Sequence, residues 1–483
     1  MKRRYFLSFV LMLVSVVSLS AQQNLRTAYF LDGYTYAYKM NPAFQGERGF
    51  LAIPALGKLS MGVESNLGLS TFVKPSDGRL ITFLHPDFSD KEFLDGMRHG
   101  NMLLSNVDIP VLALGFRTGK AYHTLDLSVR VDAGANLTKD LFSFIKVGSS
   151  DGTDTWDISD LGVRAEARME LAYGFSRRFG EKVTAGARVK ALMGVARADV
   201  AMDMMNLKLN GEEWAVNAKG NASFAGILDV RTKGETGSAT DHSQQGSIDW
   251  NALNIKSVDD LKKYLDSPST GFAVDLGVAV DVLDYLTVSA SVLDLGFIGW
   301  KDPVSASTPE TAWSFTGFDN LNLDGEGNVS GQFETLGDDL LGAMNFVKNS
   351  GDGNKMSSNL SATAHLGVEA RLPFYERLSV GLLGTHRFGG AYSWTEGRFS
   401  LNWALLRIFS LSGSYAISTI GDSMGAAVNF HLPGLTLFAG LDSFLPMMNV
   451  TPEYIPIDAL NTNMTFGLNL AFGKYKGRFP KNK

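Results

Sequence analysis

The chain has 483 residues, no cysteine and a formal net charge of −6 at neutral pH. The lack of cysteine excludes disulfides, thiol catalysis, cysteine-based metal sites and a lipid-modified N-terminal cysteine. The acidic balance argues against nucleic acid as a partner, and we expect none.

An N-terminal signal peptide is predicted over residues 1–21. A positive region at Lys2–Arg4 precedes an apolar core at Phe6–Val17 and a cleavage site at Leu19–Ala21. An N-terminal anchor helix is the alternative, but the core is short for a membrane span. The mature chain has no other apolar run near the roughly 20 residues that a spanning helix requires. If it spans a membrane, it must do so as a closed β-barrel, which places it in the outer membrane of a Gram-negative cell.

Residues 22–57 contain too few alternating positions for a pair of spanning strands. We expect this segment to enter the barrel from the periplasm and act as a plug. The stretch Asn41-Pro42-Ala43-Phe44 predicts a tight turn, in which Asn41 initiates the turn and Pro42 fixes φ. Ala43 would let the backbone pass close to the wall. These four residues are the candidate plug or ligand-binding site, and an ordinary turn before the first strand is the alternative.

Residues 58–472 are predicted to form a transmembrane antiparallel β-barrel of about 14 strands. In TLDLSVRVDAGANL, residues 124–137, every second side chain is apolar and the others are mostly polar. Alternate side chains of a strand face opposite sides, so one face suits lipid and the other water. A soluble array of β-sandwiches is the alternative. The predicted strands are Lys58–Asn66, Pro110–Phe116, His123–Leu137, Gly162–Ser176, Lys182–Asp199, Phe272–Val282, Leu286–Phe297, Ser361–Leu372, Leu378–Phe388, Arg398–Leu405, Phe409–Ile417, Met424–Phe430, Leu435–Leu441 and Met464–Phe472.

The connections between these strands alternate in length. All the short ones fall at the end where the chain enters, which is the pattern of periplasmic turns and long extracellular loops. Met202–Leu228 is predicted to be a hairpin that projects outward. Helices are expected after Ser89 and Ser257 and over Leu336–Val347. Residues 473–483 form a basic tail that we expect in the periplasm.

Five basic residues fall on lumen-facing positions of successive strands, interleaved with carboxylates: Arg130, Arg164, Arg168, Arg188 and Lys190. One interpretation is a ladder of compensating ion pairs that stiffens the wall. The other is a cationic track for the carboxylate headgroup of a ligand. Arg197 and Asp199 fall on the alternate positions that are apolar and lipid-facing in the rest of their strand. This predicts that they lie beyond the outer edge of the membrane.

The sequence lacks the familiar patterns of catalytic and metal sites. It contains no HExxH pair, nucleophile elbow or phosphate-binding glycine loop after a strand. We therefore expect no enzyme activity, catalytic residue, cofactor or metal ligand. Three Asp-rich tracts are interpreted as turns, with Ca²⁺ binding as the alternative: Asp151–Asp154, Asp324–Asn328 and Asp352–Asn354.

The motif Asn41-Pro42-Ala43 resembles the NPA motif in the N-terminal hatch of FadL-type channels for hydrophobic compounds. It also resembles a motif near the start of PorV-like barrels of type 9 secretion. The wider Asn41–Phe72 context and Leu293–Trp300 resemble a family of Bacteroidota outer-membrane barrels known only as a domain of unknown function, over nearly the whole mature chain.

The FadL resemblance implies that a hydrophobic or amphipathic small molecule crosses the outer membrane. Such a ligand would rest in an apolar pocket above the plug. The PorV resemblance implies instead a scaffold whose loops hold a secreted or surface protein. The expected partners are therefore outer-membrane lipid and either a small molecule or a secreted protein.

Overall fold

The computed structural model describes residues 24–54, 56–76, 79–147, 155–209, 214–239, 242–308, 313–315, 345–350, 355–445, 451 and 459–473. The predicted signal peptide, the three Asp-rich tracts, nearly all of the tail and most of the predicted helix at residues 336–347 lie outside these ranges. The end of that helix prediction is wrong, because Val347–Lys348 is a strand.

Fourteen antiparallel strands form one closed barrel, in which the first strand pairs with the last. Each strand pairs with the next one along the chain, and the pairing of β1 with β14 closes the ring. The strands are β1 (Leu59–Gly68), β2 (Gly100–Thr118), β3 (Ala121–Thr138), β4 (Gly162–Phe179), β5 (Val183–Leu209), β6 (Ser269–Leu283), β7 (Leu286–Trp300), β8 (Thr363–Leu372), β9 (Tyr375–Arg387), β10 (Trp394–Leu406), β11 (Phe409–Ser418), β12 (Ser423–Leu432), β13 (Leu435–Leu441) and β14 (Ala459–Phe472).

The two faces of the wall have opposite chemistry. On β4, Leu171 and Tyr173 are exposed on the outside, whereas Glu170 is buried inside. The same alternation places Asp126 and Ser128 of β3 inside. An apolar outer band around a polar interior is the arrangement of an outer-membrane barrel. The predicted fold class is therefore confirmed.

The short connections all lie at one end of the barrel. They join β2 to β3, β4 to β5, β6 to β7, β8 to β9, β10 to β11 and β12 to β13. We assign this end to the periplasm and the opposite end to the cell exterior. Within the described residues, no helix is long and apolar enough to span a membrane.

The wall extends beyond the predicted strands in several places. Strand β10 begins at Trp394 rather than Arg398, and β14 begins at Ala459 rather than Met464. The second strand begins at Gly100 rather than Pro110. Its upper part was missed because Met102 and Leu104 are apolar but point into the lumen, which obscures the alternation. The wall also begins before residue 58, because Gly49–Ala52 pairs with β14 and β2.

A β-bulge at Val195 corrects the prediction for Arg197 and Asp199. Strand β4 pairs Arg168 with Gly194 but Ala167 with Ala196, so Val195 has no partner. An extra residue reverses the parity of the strand beyond it. Arg197 and Asp199 therefore face the barrel interior, where Arg197 is only 8 % exposed.

Outside the membrane, β5 continues into the predicted hairpin and pairs with Trp214–Gly226. The predicted helices after Ser89 and Ser257 are confirmed, and each serine side chain accepts a backbone hydrogen bond as an N-cap. The helices are α1 (Asp90–Asp95), α2 (Lys139–Lys146), α3 (Lys233–Thr236) and α4 (Val258–Asp266). The remaining strands are Val73–Ser76, Arg79–Thr82, Thr155–Asp157, Leu228–Asp229, Asn254–Ile255, Val304–Ser307, Trp313–Phe315, Val347–Lys348 and Met356–Asn359.

Candidate functional site: the plugged barrel interior

The N-terminal segment fills the barrel interior as a plug. Between residues 24 and 48 it forms two 3₁₀ turns, Arg26–Ala28 and Ala37–Lys39, and no strand. Its side chains pack with wall residues into one buried cluster that is rich in aromatic rings. The plug members of this cluster are Leu25, Ala28, Tyr29, Phe30, Leu31, Tyr34, Tyr36, Tyr38 and Met40.

The first turn of the plug is held by carboxylates from two strands and from Asp442, which directly follows β13. The two carboxylate oxygens of Asp442 accept hydrogen bonds from the backbone N–H groups of Arg26, at 3.0 Å, and Thr27, at 2.7 Å. The Arg26 guanidinium pairs with Glu64 of β1 at 2.9 Å and Glu396 of β10 at 3.0 Å. All these groups are buried, so the turn is fixed by charge-assisted hydrogen bonds.

The second turn is held by carboxylates of β2 and β3. The Lys39 ammonium lies 3.1 Å from an Asp108 oxygen, which the Lys58 ammonium also approaches at 3.3 Å. The Tyr38 hydroxyl donates to Asp126 at 2.6 Å. Burial raises the pKa of Tyr38 well above its ordinary value, so this phenol remains a donor at neutral pH.

The predicted turn at Asn41 and Pro42 lies in a notch of the wall made by two glycines. A Cβ atom on Gly277 would lie 2.1 Å from the Asn41 side-chain oxygen, and one on Gly186 would lie 2.1 Å from the Pro42 carbonyl oxygen. The Asn41 amide donates to the carbonyls of Val278 and Ala290, both at 3.3 Å. The turn can therefore contact the backbone of the wall only because glycine has no side chain at these two positions.

The rest of the predicted motif belongs to the same contact. The Asn41 side-chain oxygen accepts a hydrogen bond from the Ala43 N–H at 2.9 Å, which closes the turn. The Phe44 ring packs edge-on against Tyr29, with centroids 5.0 Å apart. Asn41, Pro42, Ala43 and Phe44 thus lie together as part of the plug.

The five predicted basic residues all face the interior, and each has a carboxylate partner. Arg188 pairs with Asp126 at 3.0 Å and Asp275 at 2.9 Å. Lys190 pairs with Asp275 at 2.7 Å and also with Asp294. The other pairs are Arg130 with Glu170 and Asp294, Arg164 with Asp199, and Arg168 with Asp132, Glu166 and Glu170. This pairing matches the interpretation as a compensated ladder.

The most informative contact that sequence reasoning missed crosses the lumen. Arg387 of β9 pairs with Asp132 of β3 at 3.2 Å, from the opposite side of the barrel. Nearby, the Tyr392 ring lies against Gly134 and 5.0 Å from the Arg164 guanidinium. Strand parity can place Arg387 inside the barrel, but it contains no information on which residue lies opposite.

The barrel interior is densely filled around the plug. Two cavities beside it measure about 20 and 10 Å³ and are lined by residues such as Arg48 and Thr124. Among the described residues above the plug, the lumen-facing positions of β3–β7 carry these ion pairs rather than the lining of an apolar pocket. The described residues also contain no cluster of side chains suited to hold a metal ion.

A model described as a family of unknown function, DUF5723, matches residues 42–442. The chain belongs to this family. The match begins within the plug turn, at Pro42, and covers thirteen of the fourteen strands of the DUF5723 barrel. Comparison with curated protein sequences finds no match.

Several solved barrels are similar to the DUF5723 barrel. The toluene transporter TbuX of Ralstonia pickettii has 10% identity and a TM-score of 0.43, over 91% of this chain and 95% of that one. The toluene transporter TodX of Pseudomonas putida has 9% identity and a TM-score of 0.39, over 94% and 98%. A Pseudomonas aeruginosa FadL homologue has 11% identity and a TM-score of 0.40, over 94% and 99%. At these values the similarity concerns general barrel architecture alone.

Proposed function

We propose that this protein is an outer-membrane channel that admits a small hydrophobic or amphipathic molecule when the plug moves. The observation that carries the proposal is the way the plug is attached. Residues 24–48 cross the lumen without joining the sheet, and side chains make most of their contacts with the wall. Such a segment can be displaced while every strand of the barrel stays paired.

The chemical surfaces of the lumen favour an amphipathic molecule. Towards the extracellular end, a buried apolar collar consists of Met102, Leu104, Tyr392, Trp394 and Ile420. It borders the ion pairs at Arg164, 5.0 Å from the Tyr392 ring, and the plug at Arg26, 4.8 Å from the Trp394 ring. An apolar tail would find its partners at the collar and the plug, whereas a polar headgroup could exchange with the neighbouring ion pairs.

Locking the plug to the wall tests this proposal. The hydroxyl oxygens of Thr27 and Ser414 are 2.9 Å apart, so a T27C/S414C pair places two sulfurs within reach of a disulfide. The chain has no cysteine that could compete. The oxidised variant in liposomes should take up oleate, used as the probe, more slowly than the same variant after reduction.

The matched control joins two wall strands without contacting the plug. Gly384 and Gly397 are paired across β9 and β10, and a Cβ atom meets no plug residue at either position. Uptake by G384C/G397C should not depend on oxidation. Oleate uptake that is equal in the locked and reduced T27C/S414C protein would refute plug-gated passage.

A scaffold for a secreted or surface protein is the second candidate. It is favoured by the extension of β5 beyond the barrel, where its pairing with Trp214–Gly226 supports a separate apolar core around Ile158, Phe224 and Ile248. Native mass spectrometry of the detergent-extracted protein separates the two candidates. A bound lipid-like molecule supports the channel, whereas a stoichiometric protein partner supports the scaffold.

A further inference from the structure

Three neighbouring periplasmic turns expose large apolar side chains. The turns join β6 to β7, β8 to β9 and β10 to β11. Phe374, in the middle turn, is 85% exposed, more than any other large apolar side chain among the described residues. The exposed apolar side chains of these turns are Leu283, Tyr285, Phe374, Leu406 and Ile408, which we call the apolar rim.

Two of the other three periplasmic turns are different, and the third, between β12 and β13, is the uncharged Pro433-Gly434. The β2–β3 turn is Gly119-Lys120. The β4–β5 turn is flanked by Arg177, Arg178, Glu181 and Lys182, and its one exposed aromatic, Phe179, lies under the Arg177 guanidinium. Among the turns of the apolar rim, Asp284 and Arg407 each lie within a turn, and Glu376 and Arg377 follow shortly after Phe374.

The aromatic residues that mark the membrane–water boundary lie at different distances from these turns. On the rim side, the Trp403 indole donates to the Tyr375 hydroxyl at 3.2 Å, and Tyr375 is the first residue after the turn. On the opposite side, His123 lies 2.8 Å from the Tyr173 hydroxyl. Strand β4 continues from Tyr173 to Phe179 before it turns. Tyrosine and tryptophan prefer this boundary.

We propose that the apolar rim is embedded in the periplasmic leaflet of the outer membrane. The rim lies next to the lipid-facing surface of β6–β11, which includes Leu366, Leu382 and Leu401, and the exposed Glu376 lies at the boundary between the two. An exposed apolar surface of this kind calls for a nonpolar partner. The charged hairpins of β2–β5 stand in the periplasm, where they are free to meet soluble partners.

Spin labels on single cysteines test the proposal directly, because the native chain contains no cysteine. F374C labels the rim and K120C labels a turn of the opposite half. Both variants are placed in phosphatidylcholine nanodiscs, which contain no other protein. Relaxation of each label by oxygen, which concentrates in lipid, is compared with relaxation by a water-soluble nickel chelate.

We expect the ratio of oxygen to nickel relaxation to exceed one at residue 374 and to fall below one at residue 120. I408C provides a second rim label if F374C does not fold, which heat-dependent gel mobility would reveal. A ratio below one at both rim positions would overturn lipid contact. The rim would then be a surface for a periplasmic protein.

Discussion

The Arg387 guanidinium on β9 pairs at 3.2 Å with the Asp132 carboxylate on β3, across the interior of the barrel. The two strands are six positions apart around a ring of fourteen. Asp132 also accepts from Arg168 on the neighbouring strand at 2.5 Å. Side chains of the wall itself therefore bridge the upper lumen, in addition to the plug.

Replacing Arg387 with methionine should remove this bridge. The substitution removes the charge that crosses the lumen, while Asp132 keeps Arg168 as a partner. The loss of unfolding free energy should be about 1–3 kcal/mol, as for other charge-assisted hydrogen bonds. Single-channel conductance in planar bilayers should increase, because ions meet one barrier fewer.

Arg178→Met is the matched control. Arg178 pairs with Asp281 at 2.7 Å, but it is 45% exposed at the periplasmic end. An exposed pair contributes about 0–1 kcal/mol, so this variant should keep native conductance. If Arg387→Met also keeps native conductance, the cross-lumen pair is not a barrier to ions.

The glycine notch predicts a second effect. Gly277→Ala places a Cβ atom against the Asn41 side chain, so the plug turn must shift away from the wall. Overpacking of this kind costs about 1–3 kcal/mol. Limited trypsin digestion should cut the plug faster in this variant than in the native protein.

Gly397→Ala serves as its control, since a Cβ atom there meets nothing within 4 Å. This variant should be cut at the native rate. Equal digestion of all three proteins would show that the Asn41 turn does not depend on the notch for its position.

The architecture was readable from the sequence because its physical signal is local. Strand β13 was predicted with the bounds that the structure has, since Leu435–Leu441 alternates cleanly between turns. The alternation of side chains along each strand also predicts that Arg130 and Lys190 face the barrel interior. Both inferences need only the period of a strand and the side that faces lipid.

Contacts between distant parts of the chain were not readable. Asp132 and Arg387 are 255 positions apart, and their pairing depends on the width of the barrel. The role of Gly277 was also hidden, because glycine on a lumen-facing position looks the same whether or not a plug lies against it.

The bulge at Val195 gives a third prediction. Deletion of Val195 should return Arg197 and Asp199 to the lipid-facing parity. Glu166 would then lose its ion pair with Arg197, which measures 2.8 Å in the native protein. Arg164 would lose its ion pair with Asp199, which measures 3.1 Å. A charged side chain near a lipid face costs from about 1 to 4 kcal/mol, depending on depth.

Assembly into liposomes, followed by heat-dependent gel mobility, measures this effect. The deletion variant should yield less folded barrel than the native chain. Deletion of Gly237, in an extracellular loop with nothing within 4 Å of its Cβ position, controls for the loss of a residue. Equal yields would mean that the bulge does not set the parity of upper β5.

The seam that closes the barrel gives the last prediction. Strand β1 forms six consecutive pairs with β2. Its described pairs with β14 are Leu59 with Phe466 and Gly68 with Ala459, and the register shifts between them. Irregular pairing leaves backbone amides less protected. Peptides from β1 should therefore exchange amide hydrogen faster than peptides from β12, which is paired regularly on both sides.

A crosslink provides the decisive comparison. The hydroxyls of Ser60 and Thr465 are hydrogen-bonded across the seam, so a disulfide in S60C/T465C should join β1 to β14. Oxidation should slow exchange in β1 and leave exchange in β12 unchanged, because only the seam is constrained. If β1 is already as protected as β12 in the native protein, the seam is as stable as the other strand pairs, and its irregular register has no dynamic consequence.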